Sequence, residues 1–365
     1  MQRPVMDPTY LRDHDDDAAD LPGGKRRKVR VFATVLRAVW RVTRAVFTLL
    51  LTELLFTRRR RGELQIQEGT AFSRFVRGLA YRAAFAPILA VLVAVALVFA
   101  GTHPQGAWGD LDPGSQAIHY DPVFFVSDDA TRCEGWLVPV VDARRVLEEK
   151  EKILRKRHPA VVLVHDFGAA RQQMLPLVAP LHRAGYVVLV VGLRGAGTGD
   201  VAGQTFGLNE ALDVRAAVEM LRRRPFVDSN KVALLGVGTG ATASLLAAKG
   251  DHNSGGVGIA ALVLEQPVDH GDQVIAQRIA PQHRWLRWMQ PLCEWTFELA
   301  YRVDADDLNL HRYTSLMETR PVLMLDGRCI SGGQADPNKL EQIRMFLDAH
   351  LKPPAKNPQT VAATK

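Results

Sequence analysis

Two hydrophobicity patterns divide the chain. Residues 83–101, AAFAPILAVLVAVALVFAG, carry no charge and show no polar face. From about Ile118 onward, short apolar runs alternate with amphipathic stretches. PVFFVS (122–127) and CEGWLVPVV (133–141) read as strands, followed by a charged, exposed helix over 141–158. AVVLVH (160–165), YVVLVVG (186–192), KVALLG (231–236), IAALVLEQP (259–267) and RPVLMLDG (320–327) read as five more strands. Helical patterns fill the gaps at 171–185, 209–224 and 241–250, and a last one covers 339–351. Continuous Val/Leu runs are buried on both faces, so the expected fold is α/β, a mainly parallel sheet with helices on both faces. The Trp- and His-rich segment 268–315 is expected as an insertion covering the carboxyl edge of the strands, where ligands bind in such sheets.

The 19-residue apolar run is just long enough to span about 30 Å of hydrocarbon as a helix. Pro87 is placed in its first turn, where a missing N–H does little harm. Charge sets the orientation. Arg58 to Arg61, Arg74, Arg77 and Arg82 precede the run, and no Lys or Arg follows it until Arg132. The positive-inside rule then puts the N-terminus in the cytoplasm and the C-terminal domain outside, a bacterial inner membrane fitting best. Small residues at 98–100 also suit a signal-peptide cleavage site, but the 82 residues ahead of the run favour a retained anchor.

The net charge of +7 is unevenly spread, with basic runs KRRK (25–28) and RRRR (58–61) ahead of the apolar segment. Arg30, Arg37, Arg41 and Arg44 share one helical stripe, with Val31, Phe32, Val35, Trp40, Val46 and Phe47 largely off it. That suits a basic amphipathic helix on an anionic inner leaflet, or a helix packed on a partner. DHDDDAAD (13–20) is an acidic tail with the composition of a disordered segment. No nucleic-acid motif accompanies the basic residues. The expected organisation is a tail (1–28), a cytoplasmic helical segment (29–82), a transmembrane helix (83–101), a linker (102–117), the α/β domain (118–352) and a flexible tail (353–365).

Cys133, Cys293 and Cys329 form no C-x-x-C pair. Three isolated buried thiols are expected, although one disulfide is open to an extracytoplasmic domain. No H-x-x-x-H or clustered carboxylate spacing points to a metal, and no cofactor motif is present.

The order of motifs resembles the α/β-hydrolase superfamily, closest to its serine-aminopeptidase-like and dienelactone-hydrolase-like branches. GWLVP precedes AVVLVHDFG, which is similar to the family's oxyanion stretch. AGYVVLVVGLRGAGTGD and FGLNEALDVRAAVEML resemble the next two family motifs, and VALLGVGTGA falls on the nucleophile elbow. The resemblance implies a serine on a tight strand-to-helix turn, an oxyanion hole beside it, an acid after the strand PVLMLDG, and a histidine loop before the last helix.

This sequence departs from that pattern at each point. The elbow reads Gly236, Val237, Gly238, Thr239, Gly240, so glycine stands where the nucleophile belongs. The oxyanion stretch HGFG becomes His165, Asp166, Phe167, Gly168, and a carboxylate there opposes the negative charge of hydrolysis. The acid position falls on Ile330. Only about ten residues separate Gly327 from the last helix, so the histidine loop is missing and His350 lies within that helix. Thr239 is the nearest hydroxyl and is expected to cap its helix. A relocated site would have to draw on His165 or His270 with Asp269 or Asp326. The leading expectation is a membrane-anchored, catalytically inactive hydrolase-fold protein that binds a protein partner or a small ligand. The alternative is an active hydrolase of esters, amides or peptides with a relocated nucleophile.

Overall fold

The computed structural model describes residues 71–104, 111–140, 157–196, 202–253, 259–280 and 284–352. The chain divides into two units, Met1–Leu92 and Val93–Lys365. The acidic tail, the basic amphipathic segment and most of the helix expected at 141–158 lie outside the described residues. Of that last helix only Arg157 and His158 are described, and His158 opens a strand.

The first described element is α1, Ala71–Thr102. Its stretch Gly78–Thr102 has a mean hydropathy of 2.7 and is long and apolar enough to cross a membrane. The helix begins well before residue 83, so Pro87 sits in its interior rather than its first turn. There the ring removes one backbone hydrogen bond to the residue four back.

The sheet is built from β1 (Asp121–Val126), β2 (Arg132–Val138), β3 (His158–Val164), β4 (Val187–Gly192), β5 (Val227–Val237), β6 (Ala261–Glu265) and β7 (Val322–Leu325), in the order β1-β2-β4-β3-β5-β6-β7. β1 pairs with β2 and β2 with β4 antiparallel; the other four pairings are parallel. Register pairs such as Val162↔Leu189 and Leu235↔Val263 place apolar residues beside apolar residues on each face.

Alternation along the strands sends side chains to two separate cores. Val162, Val164, Leu189, Val191 and Leu234 meet α3 (Glu210–Arg222) and α4 (Thr239–Asn253) on one face. Val161, Leu163, Val188, Val190 and Leu235 meet α2 (Leu175–Arg183) and α8 (Pro337–Leu351) on the other. This explains why the central strands read as unbroken apolar runs, with every residue of β4 buried.

Between β6 and β7 the chain passes through α5 (Gly271–Arg278), α6 (Gln290–Tyr301), α7 (Thr314–Thr319) and short 3-10 turns. A third cluster gathers here from Phe206, Ile275, Ile279, Met289, Cys293, Phe297, Ala305 and Leu308. Ala94 and Val98, from the end of α1, join it. After β7 only a two-stranded hairpin, β8 (Ile330–Ser331) with β9 (Gln334–Ala335), precedes α8. Residues 102–104 and 111–117, expected as linker, pack on the domain. Thr102 is fully buried, and the Gln116 side chain donates to Leu175 O at 3.0 Å.

Candidate functional site

β5 runs into α4 through Gly238, whose φ of +57° lies in the left-handed region. The turn is as tight as the sequence pattern requires. A Cβ on Gly236 would overlap the backbone of Gly240 and Ala241, and one on Gly240 would overlap the carbonyls of Val164 and His165. The Gly238 N–H donates to Glu265 O at 2.8 Å, tying the turn to the end of β6.

Gly238 needs glycine for a further reason. A Cβ there would fall inside the Asp166 carboxylate, overlapping Cγ and both oxygens. The Asp166 side chain therefore occupies the volume where a nucleophile's side chain would begin. Its Oδ1 accepts the Phe167 N–H at 2.7 Å, the Thr239 N–H at 2.8 Å and the Thr239 hydroxyl at 3.3 Å. The first amide belongs to the loop after β3, and the second follows the elbow residue at the start of α4. Two such amides aimed at one oxygen form an oxyanion hole. Here the oxyanion is the chain's own carboxylate, placed favourably at the positive end of a helix. The expected carboxylate beside the hole thus lies in it. The Thr239 hydroxyl donates to Asp166 rather than capping the helix, Asp166 also accepts the Thr239 N–H, and the amides of Ala241 and Thr242 go to Gly238 O.

An antiparallel entry, a parallel run in this strand order, and a glycine elbow after β5 facing an oxyanion loop after β3 decide the fold. The fold is that of the α/β-hydrolases. No protein-family model and no curated protein matches the sequence. Among solved structures, the chain is similar to the Pyrococcus furiosus esterase Pf2001, at 16% identity and a TM-score of 0.49, over 68% of this chain and 99% of that one. It is also similar to an alpha-beta hydrolase from Vibrio vulnificus, at 15% identity and a TM-score of 0.47, over 72% and 93% of the two chains. A third similar structure is the alpha/beta hydrolase GrgF from Penicillium sp. sh18, at 15% identity and a TM-score of 0.42, over 64% and 99%.

Among the described residues, no side-chain hydrogen bond or ion pair joins His165, Asp269, His270 and Asp326 to one another. His165 is fully buried, and burial pushes its pKa down to about 4. Its Nε2 accepts the Leu193 N–H at 3.2 Å, so the proton sits on Nδ1, which donates to Asp166 O at 2.9 Å. Both nitrogens of a neutral imidazole are thereby engaged with backbone, leaving none to take a proton from a nucleophile. Asp269 and His270 are exposed at the start of α5, and Asp326 is exposed just past β7. Ile330 lies half-buried in β8. His350 is exposed on α8, with Nδ1 2.8 Å from Phe346 O. All three cysteines are free and buried. Among the described residues no group of His, Cys, Asp or Glu is arranged to hold a metal ion.

Three features near the site escaped the sequence reading. Glu265 ends β6 almost fully buried, and its carboxylate accepts the Cys329 N–H at 2.8 Å. Burial and the Glu265 carboxylate push the Cys329 thiol well above the ordinary range. The signal was a charged residue closing an apolar strand, ALVLE. Arg194 is buried on β4's carboxyl side, held by Asp213 and Asp129. Burial works against its charge, but the hydrogen bonds it donates to both carboxylates outweigh that and raise its pKa. Gln204 links several parts: its Oε1 accepts the Gly168 N–H at 2.9 Å, its Nε2 donates to Arg194 O at 3.2 Å, and its N–H donates to Thr102 O at 2.8 Å. The oxyanion loop is thus pinned from behind. Phe167, next to the hole, packs on Phe206, then Phe297, then Tyr301, with ring centroids 4.9, 5.8 and 5.5 Å apart.

Proposed function

We propose that this chain is a membrane-anchored α/β-hydrolase-fold protein that does not perform serine-type hydrolysis and serves as a binding or assembly subunit. The observation that carries this reading is the Asp166 carboxylate seated on the Thr239 and Phe167 amides, over a glycine at the nucleophile position. A tetrahedral oxyanion would have to displace a resident anion, and no oxygen stands at residue 238 to form it. Losing the nucleophile alone costs about a millionfold in turnover where it has been measured. The engaged, neutral His165 supplies no base. The apolar helix, with arginines on one side only, supports an anchor whose N-terminus is cytoplasmic and whose α/β domain is extracytoplasmic.

The test uses full-length protein in detergent with p-nitrophenyl esters and aminoacyl arylamides, followed by fluorophosphonate labelling. Turnover at background and no labelling are expected, together with co-purification of a stoichiometric partner from native membranes. Turnover well above background that is lost in Thr239→Ala, or in Asp269→Asn or Asp326→Asn, would sink this reading in favour of a relocated hydrolytic site.

A further inference from the structure

The last turns of α1 have two faces, and both are apolar. Ala94, Val98 and Thr102 are buried, with Leu97 and Gly101 partly so, a stripe at helical spacing that packs on the α5–α6 region. The contact is close. A Cβ on Gly101 would lie 2.8 Å from Arg278 O, and the Thr102 hydroxyl is 2.6 Å from that of Tyr301. The other face carries Val93, Val95, Ala96, Phe99 and Ala100, all exposed and none polar, with Phe99 61% accessible. Ala94 to Thr102 covers about 12 Å of helix axis. Over that length the same helix borders the domain on one side and an unpartnered apolar surface on the other.

The α6 region carries exposed apolar residues as well. Trp288, in the 3-10 turn Arg284–Met289 that leads into α6, and Leu299, in the last turns of α6, are the exposed large apolar residues here, with Trp295 half-buried between them and Leu292 packed on the third cluster. Trp288 and Leu299 are 63% and 60% exposed. The inner face of the same helix, Cys293 and Phe297, shares one cluster with Ala94 and Val98. Exposed Arg287 and Arg302 lie beside Trp288 and three residues past Leu299. Tryptophan beside aliphatic residues, bounded by arginine, is the composition of a helix lying at the hydrocarbon–headgroup boundary.

We propose that the end of α1 and the exposed Trp288 and Leu299 at the two ends of the α6 region form one lipid-seated surface, so that the α/β domain is embedded in the outer leaflet rather than tethered above it. The proposal rests on the membrane-anchored reading, and the occupant is the bilayer itself. The arginines would reach the phosphates while their stems cover apolar surface.

The experiment places single nitroxide labels on the full-length protein in phosphatidylcholine–phosphatidylglycerol nanodiscs. The native cysteines are buried, so labels are directed to Leu89→Cys in α1, Trp288→Cys, Leu299→Cys, and two exposed controls, Phe124→Cys and Met345→Cys. Collisions with oxygen are expected to exceed those with a water-soluble nickel chelate at 89, 288 and 299, with the reverse at 124 and 345. An apolar environment at 89 with aqueous signals at 288 and 299 would overturn this proposal and leave the anchor standing. An aqueous signal at 89 would remove the anchor itself, and the proposal with it. Quenching of intrinsic fluorescence by brominated lipid is a second measurement, needing no cysteine. It should fall in Trp288→Phe, and an unchanged quench would count against the lipid seat.

Discussion

Gly238→Ser reintroduces the side chain that the elbow lacks, and the structure sets its cost. The new Cβ overlaps the Asp166 carboxylate, so that group must leave the hole. It then gives up hydrogen bonds from the Phe167 and Thr239 amides and from the Thr239 hydroxyl. A hydrogen bond to a charged group contributes about 1.5–3 kcal/mol, and water replaces part of this because Asp166 is only half-buried. A non-glycine residue in the left-handed region adds about 1–2 kcal/mol. The sum is about 3–5 kcal/mol for Gly238→Ser alone. In an Asp166→Gly background the obstacle is absent, and the same substitution should cost only the backbone strain of about 1–2 kcal/mol. The double-mutant cycle should therefore show a coupling of about 2–3 kcal/mol. Urea unfolding of the full-length protein in detergent, followed by tryptophan fluorescence, measures it. If the two costs add to within about 0.5 kcal/mol, Asp166 does not occupy the nucleophile's space and the reasoning fails. Hydrolytic turnover should stay at background in the double variant, because both nitrogens of His165 remain engaged.

His165 predicts a pH dependence with a definite sign. Its folded pKa of about 4 lies below the unfolded value of about 6.5, so the unfolded chain binds the extra proton first. Stability should fall by about 3 kcal/mol as pH drops from about 6.5 to about 4, and His165→Gln should flatten that part of the curve. Arg194→Met strands the fully buried Asp213 and should cost about 3–5 kcal/mol in unfolding free energy, whereas Arg223→Met, on an exposed pair, should change little. Gly101→Val drives a side chain into Arg278 O and Ile279 and should lower the unfolding free energy by about 1–3 kcal/mol, measured by thermal unfolding. Thr102→Val removes the partner of the Tyr301 hydroxyl and should cost about 1 kcal/mol by the same measurement.

The strands and helices of the sheet region were legible because each announces itself locally. Runs such as VVLVV in β4 and the amphipathic α3 carry their burial in their own spacing. The elbow was legible for the same reason, since GVGTG is contiguous. Pro87 reads as a first-turn residue because the uncharged run starts at residue 83, whereas the helix already runs through the arginine-bearing residues ahead of it. The sequence suggests Thr239 as a cap because capping is read from neighbours in the chain, whereas its hydroxyl turns to an acceptor from the loop after β3.

What the sequence by itself determined is the mainly parallel α/β sheet and the absence of a hydroxyl at residue 238. Both follow from residue type and short-range periodicity. What only the tertiary structure decided is where Asp166 points. Its carboxylate meets Thr239 across 73 residues of chain, through the pairing of β3 with β5 and the bend of the loop that follows β3. The packing of Ala94 and Val98 against α6, and the route from Thr102 through Gln204 to Gly168, are decided the same way. Such contacts depend on which surfaces the fold brings together, and a residue's own neighbours in sequence carry no record of them.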